Sequence, residues 1–92
     1  MSEIPDTAEV LVDATGLRCP LPVIRLAQAA KGASAGTVIT VLSTDPAAGP
    51  DIAAWCRMRG EELLAQTGEP DGRALRSQIR VRDTTSPAHP QP

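Results

Sequence analysis

Aromatic residues are almost absent from this chain of 92 residues, which contains one tryptophan and neither phenylalanine nor tyrosine. The hydrophobic core must therefore be built from valine, isoleucine, leucine and alanine. No apolar run approaches the roughly 20 residues that a transmembrane helix requires. The N-terminus also lacks the pattern of a secretory signal peptide. These absences predict a cytoplasmic protein with a small aliphatic core and no contact with a membrane.

The chain also has little excess charge of either sign, since nine basic and eleven acidic residues give a formal net charge of −2. This balance argues against a protein that wraps nucleic acid through a generally basic surface, so direct nucleic-acid binding is not expected. The single histidine, His89, lies in a proline-rich terminal segment and is not expected to act as a general base. Without a Cys–His pair, hydrolysis of peptide bonds is not among the expected activities.

Only two cysteines are present, Cys19 and Cys56. A reducing cytoplasm keeps such thiols reduced, so we do not expect a disulfide between them. Two distant cysteines and one terminal histidine do not make a metal-ligand set, and neither a metal nor another cofactor is expected. A thioredoxin-type dithiol is excluded locally, because the Cys-x-x-Cys motif would need its second sulfur at the position of Pro22.

The apolar pattern predicts one domain over residues 9–83, between a flexible N-terminus (1–8) and a disordered Pro-rich tail (84–92). The predicted elements, in chain order, are a strand over 9–13, a helix over 20–33, a strand over 37–44, a helix over 50–59, an ambiguous segment over 62–67 and a strand over 75–81. The Asp-Gly pair at 71–72 indicates a hairpin turn. The order βαβαββ predicts an α+β protein, a two-layer sandwich with two helices on one face of a four-stranded mixed sheet.

Two features of the strands predict where ligands or partners can reach this sandwich. Strand 37–44 is apolar on both faces and should be central, whereas strand 75–81 alternates and should have one solvated face. If the first two strands run parallel, their C-terminal ends share one edge of the sheet. The loops that carry Cys19 and Asp45 would then meet at that edge, where ligands commonly bind in such sheets.

The most informative motif is the run over residues 16–22, Gly-Leu-Arg-Cys-Pro-Leu-Pro, which places a thiol just before a helix. Because proline is tolerated in a first helical turn, Pro20 is predicted to be the first helical residue and Cys19 the N-cap. The positive end of the helix dipole would lower the pKa of Cys19 to about 7–8, and Arg18 could lower it further. Cys19 is therefore the candidate nucleophile, although a free cysteine can also be a small buried apolar residue.

The other candidate residues each have a structural and a functional interpretation. Asp45 is either a turn residue or a group that acts beside Cys19. Cys56 is either a core residue of the second helix or a second functional thiol. The predicted supporting residues of the site are Arg18, Pro20, Pro22 and Asp45. The candidate contacts for a partner are the apolar Leu21 and, on the last strand, Arg80 and Arg82, which with Arg76 form either a solvated face or a docking surface.

Residues 11–22, Leu-Val-Asp-Ala-Thr-Gly-Leu-Arg-Cys-Pro-Leu-Pro, together with Asp45-Pro46 and the segment from Asp51-Ile52 to Trp55-Cys56, resemble the TusA-type (SirA-like) sulfur-carrier family. The resemblance covers roughly residues 9–83 and implies the same βαβαββ sandwich. It further implies that Cys19 accepts sulfane sulfur as a persulfide from a donor protein, such as a cysteine desulfurase or a rhodanese-like protein. The sulfur then passes to an acceptor protein in tRNA thiolation, sulfur oxidation or molybdenum-cofactor biosynthesis.

Two departures from the family leave the partner and the pathway open. Members of the tRNA branch often carry glutamate where this chain has Leu21, and histidine near Gly60, where Glu61 follows here. Taken together, the thiol motif and the family resemblance imply a sulfurtransferase that relays persulfide sulfur. A non-catalytic regulatory or RNA/protein-binding module that uses the arginine-rich sheet face is the main alternative, and a thiol redox sensor is a third.

Overall fold

The computed structural model describes residues 8–82, which form a four-stranded sheet and two helices. The elements are β1 (Glu9–Ala14), α1 (Leu21–Lys31), β2 (Val38–Ser43), α2 (Ala48–Arg59), β3 (Glu62–Gly68) and β4 (Leu75–Arg80). The predicted βαβαββ order and the two-layer α+β architecture are therefore confirmed. The predictions of a flexible N-terminus, apart from residue 8, and of a disordered tail that contains His89 lie outside the described residues.

The sheet has the strand order β1-β2-β4-β3 and is mixed. Strands β1 and β2 pair in parallel, whereas β4 pairs antiparallel with both β2 and β3. The predicted central position of β2 is confirmed, and alternate residues of this strand, Ile39, Val41 and Ser43, are buried. Because β1 and β2 run in the same direction, the loops that follow them emerge at the same edge of the sheet.

The core lies between the sheet and the helices and is aliphatic, as the scarcity of aromatic residues predicted. Its buried members are Ala14, Leu26, Ile39, Val41, Ala48, Ile52, Cys56, Ile79 and Val81. The single tryptophan, Trp55, is half-buried and packs against this cluster. On β4 the predicted alternation is confirmed, since Ser77 and Ile79 are buried and Arg80 is exposed.

The helix boundaries differ from prediction at their N-termini. Helix α1 begins at Leu21 with Pro20 as the N-cap, so the prediction that Pro20 is the first helical residue and Cys19 the cap was wrong by one position. The bond between Cys19 and Pro20 is a cis peptide. Helix α2 begins at Ala48, two residues before Pro50, which lies in the first turn, where the N–H that proline lacks would have no intrahelical partner.

The chain leaves α2 through Gly60, which has a left-handed φ of 76°. The Gly60 N–H donates to the carbonyl of Cys56, the arrangement expected of a glycine that ends a helix. The segment whose pattern was ambiguous then forms β3, with a register shift between Leu63 and Ala65. Neither of the helices within residues 8–82 has the length and apolar character needed to cross a membrane.

Candidate functional site

The candidate site is formed by the two loops that follow β1 and β2. The backbone N–H of Gly16 donates to Oγ1 of Thr44 at 2.9 Å, and the backbone N–H of Cys19 donates to Oδ2 of Asp45 at 2.8 Å. Gly16 has a φ of 81°, a backbone conformation that favours glycine. These hydrogen bonds join the loops at the C-terminal edge of the parallel strands, and the predicted meeting of Cys19 and Asp45 is confirmed.

Asp45 connects the two loops through both oxygens of its carboxylate. Oδ1 accepts a hydrogen bond from the N–H of Ala47 at 2.9 Å, while Oδ2 accepts the one from Cys19. The bonds from Ala47 and Cys19, and then the positive charge of Arg18, hold the pKa of Asp45 below its usual value. Asp45 is thus a turn residue, as one interpretation predicted, and its carboxylate also lies directly beside the cysteine.

Cys19 is exposed, so the interpretation of this residue as a small buried apolar side chain is wrong. Its Sγ donates a hydrogen bond to Oδ2 of Asp51 at 2.8 Å. This hydrogen bond is the main reason that the pKa of Cys19 is raised, and desolvation and the negative charges of Asp51 and Asp45 act in the same direction. The prediction of a lowered pKa was therefore wrong, because a carboxylate acceptor favours the protonated thiol over the thiolate.

The N-terminus of α1 offers the sulfur fewer free amides than a helix end usually provides. The N–H of Leu21 donates to the carbonyl of Arg18 at 2.8 Å, and the cap residue Pro20 has no N–H to donate. Pro22 has no N–H to offer. The charge of Arg18, which was expected to favour the thiolate, instead contributes to lowering the pKa of Asp45. The dipole argument therefore overestimated the positive potential at Cys19.

Asp51 is the residue of this site that sequence reasoning missed. It lies in the first turn of α2, 32 positions from Cys19 along the chain. The sequence signal was an acidic residue just after Pro50, which indicates a favourable interaction with the helix dipole but no particular neighbour. Packing of α1 against α2 brings the carboxylate and the thiol together.

The candidate contacts for a partner fall at two separate places. Leu21 is 42% exposed two residues after the thiol, and Ile24 is exposed to the same extent one turn further along α1. Arg80, in contrast, pairs with Val38 at the start of β2, which is the end of the sheet opposite to the Cys19 loop. The structure thus places Leu21 at the site and Arg80 away from it.

The arginines of β4 are partly neutralised by neighbouring acids. Arg76 Nε lies 3.0 Å from Oε2 of Glu69, and Arg80 Nη1 lies 3.0 Å from Oε1 of Glu62. The backbone N–H of Arg82 donates to the carboxylate of Glu61. The two ion pairs reduce the positive potential that an acidic protein or RNA would meet on this face.

The second thiol, Cys56, belongs to the core. Its side chain is 2% exposed, and burial, followed by the negative charge of Glu61, raises its pKa to about 11. The interpretation of Cys56 as a core residue is confirmed. Within residues 8–82, no group of three or more His, Cys, Asp or Glu side chains is placed to hold a metal ion.

Comparison with known proteins gives a consistent family assignment. The model of the family described as sulfurtransferase TusA matches residues 10–81. The sulfur carrier protein TusA of Pseudomonas putida strain F1 is 43% identical over 60 residues, which are 65% of this chain and 75% of that protein. The TusA protein of Pseudomonas entomophila strain L48 is also 43% identical, over 61 residues, which are 66% of this chain and 76% of that protein.

A solved structure agrees with these sequence relationships. The crystal structure of a SirA-like protein from Desulfitobacterium hafniense has a TM-score of 0.70 to this fold and 27% sequence identity, and the match covers 80% of this chain and 99% of that one. The family match spans nearly all of the residues that the structure describes, including both loops of the site. The chain therefore belongs to the TusA family of sulfurtransferases.

Proposed function

We propose that this protein is a sulfur carrier in which Cys19 accepts sulfane sulfur from a donor protein as a persulfide and passes it to an acceptor protein. The observation that carries the proposal is the exposed Cys19 thiol, held on a loop whose backbone is hydrogen-bonded to Asp45. Membership of the TusA family supports sulfur as the group that is transferred.

The transfer proceeds by two displacements at sulfur. In the first, the Cys19 thiolate attacks the outer sulfur of a donor persulfide, a new S–S bond forms, the donor's S–S bond breaks, and the donor leaves as a thiolate. In the second, an acceptor thiolate attacks the outer sulfur on Cys19 and releases the Cys19 thiolate. No electrons are gained or lost overall, because sulfane sulfur moves between equivalent thiols. The relay requires no cofactor, since the sulfur is itself the cargo.

The residues around Cys19 have structural roles in this proposal. Pro22 is fully buried at the start of α1 and anchors the loop on the core, while exposed Pro20 precedes the helix. Asp45 fixes the backbone of Cys19, and Arg18 lies close enough to Asp45 to lower its pKa. Exposed Leu21 supplies an apolar contact beside the thiol for either partner. The specificity of transfer thus comes from protein–protein contacts around the loop.

The chemistry requires a compartment in which Cys19 remains a thiol between transfers, so a cytoplasmic location forms part of the proposal. The activity is that of a sulfurtransferase whose substrates are the persulfide and thiol groups of other proteins. Hydrolysis is not part of this scheme, because each step ends with sulfur bound to sulfur. The donor is a cysteine desulfurase or a rhodanese-like protein.

Sulfur loading tests this proposal directly. The protein is incubated with a cysteine desulfurase and cysteine, and its intact mass is measured. We expect a gain of one sulfur atom in the wild type and in the matched variant Cys56→Ser, but none in Cys19→Ser. Equal loading of Cys19→Ser and wild type would show that the proposed acceptor thiol is wrong. In a parallel incubation with oxidised glutathione, exchange would release glutathione and leave a Cys19–glutathione disulfide; this product, together with no persulfide from the desulfurase, would support a redox sensor instead.

A further inference from the structure

Building on the function proposed above, we propose that Asp51 acts as a gate for Cys19, which means that it controls when the thiol can react. Its carboxylate holds the thiol protonated and in place in the free protein, and a cationic side chain of the sulfur donor releases the thiol by pairing with that carboxylate. Asp51 is a positioning residue in this scheme, because it acts on sulfur transfer through the state of Cys19. Its place beside the cysteine follows from the fold and not from the Cys-Pro-x-Pro motif.

The position of the Asp51 carboxylate is set by the core. The backbone N–H of Asp51 donates to the carbonyl of Ala47 at 3.0 Å in the first turn of α2. The next residue, Ile52, is fully buried, which ties this turn to the sheet. The distance of 2.8 Å from Cys19 Sγ to Asp51 Oδ2 is therefore held by the packing of α2 on the rest of the domain.

The charges around the thiol indicate what the gate responds to. The carboxylates of Asp51, from α2, and Asp45, from the loop after β2, act on Cys19, whereas the charge of Arg18, from the loop of Cys19 itself, acts on Asp45. Asp45 already accepts two backbone hydrogen bonds and lies near the charge of Arg18. Within residues 8–82, no basic side chain lies within 4.0 Å of the Asp51 carboxylate. Asp51 is thus the acid that remains open to a cation from outside.

An arginine or lysine beside the donor's persulfide has the required chemistry. Arginine fits best, because its planar guanidinium can bind both oxygens of a carboxylate. Pairing compensates the negative charge and draws the acceptor oxygen away from Sγ, so the thiol can ionise. The thiolate then takes the outer sulfur, and the departing donor thiolate takes up a proton. The net step is Cys19–SH plus R–S–SH giving Cys19–S–SH plus R–SH, which needs neither oxidant nor reductant.

The first experiment measures Cys19 itself and does not depend on sulfur transfer. The rate of Cys19 alkylation by iodoacetamide is followed against pH by peptide mass mapping. Asp51→Asn keeps the size of the side chain and removes its charge, and should raise the rate near pH 7 about five-fold, the factor expected for removing one unit charge at contact distance in water. Asp51→Glu, which restores the carboxylate, should return the pH profile towards that of the wild type.

Glu9→Gln is the matched control for loss of one negative charge. Glu9 starts the six-residue strand β1, whereas the Cys19 loop follows its end. At about 3.3 Å per residue this separation exceeds the Debye length of roughly 10 Å at 0.1 M salt, so the alkylation rate should not change. The gate would be refuted if Cys19 were alkylated no faster in Asp51→Asn than in the wild type. It would also be refuted if Glu9→Gln raised the alkylation rate by the same factor.

The second experiment tests the role of the donor. With glutathione persulfide, a small donor whose net charge is negative and which has no arginine or lysine side chain, Asp51→Asn should acquire sulfur faster than the wild type. With a cysteine desulfurase and cysteine the order should reverse, because only the wild type offers a carboxylate to the donor's cation. If Asp51→Asn is also faster with the desulfurase, release by a donor cation is refuted. If the alkylation profiles shift as expected but no form acquires sulfur, the gate stands and the proposed function fails.

Discussion

The buried thiol Cys56 should be almost unreactive in the folded protein, and the extent can be worked out from its environment. Its pKa is raised to about 11, chiefly by burial, and its side chain is 2% exposed. At pH 7.5 such a pKa leaves about 3 in 10,000 side chains as thiolate, compared with about one in ten for an unfolded cysteine with a pKa near 8.5. Ionisation alone should therefore slow thiol modification roughly 300-fold, and burial should slow it further by blocking access of the reagent.

The assay uses the variant Cys19→Ser, in which Cys56 is the only remaining cysteine of the sequence. Reaction with a disulfide reagent such as dithionitrobenzoate is followed at pH 7.5 in buffer and in denaturing urea, while fluorescence of Trp55 monitors the folded fraction. The converse variant, Cys56→Ser, should react readily in buffer because Cys19 is exposed. Comparable rates for Cys56 in buffer and in urea, with native Trp55 fluorescence in buffer, would refute this reasoning and reopen the possibility of a second functional thiol.

Three further predictions concern stability. Leu26→Ala should lower the free energy of unfolding by about 2–5 kcal/mol because Leu26 is fully buried. Ile24 lies on the same helix but is 42% exposed, so Ile24→Ala should lower the free energy of unfolding clearly less; urea unfolding measures both changes. Gly60→Ala should lower the free energy of unfolding by about 1–2 kcal/mol, and with it the melting temperature, because Gly60 has a left-handed φ of 76°. Gly32 has a φ of −96°, so Gly32→Ala should not lower the melting temperature. The contribution of buried Cys56 to stability should be fully present below about pH 8.5 and be lost towards pH 11, because Cys56 ionises in the unfolded chain before it does in the folded protein. Urea titrations at several pH values should show this loss of stability reduced in Cys56→Ala, and an unchanged loss would show that burial of Cys56 is not its cause.

The layers of the fold could be predicted because burial leaves a local pattern in the sequence. Strand β4 alternates between buried and exposed residues, so its period of two is visible in a few positions. Strand β2 is enriched in branched apolar residues since it lies between two other strands. The glycine that ends α2 was recognisable for a similar reason, because Gly60 adopts a φ that few other residues accept.

Strand β3 had no such local pattern. It lies at the edge of the sheet, most of its residues are exposed, and the register shift between Leu63 and Ala65 interrupts its alternation. Its structure depends on pairing with β4, which is an interaction between segments. A similar limit applied to the N-terminus of α1. The sequence predicted the first helical residue to within one position but assigned the N-cap to Cys19 instead of Pro20.

The sequence by itself favoured an exposed Cys19 and a buried Cys56, because a loop before a proline-rich helix start and the apolar face of a helix are both local features, and the fold confirms both assignments. Only the tertiary structure decided the protonation of that exposed sulfur. A helix dipole can be inferred from the residues of one helix, but the Asp51 carboxylate reaches Cys19 from 32 positions away. At a separation of 2.8 Å, a hydrogen-bonded carboxylate outweighs the partial charges of a helix end that offers few free amides.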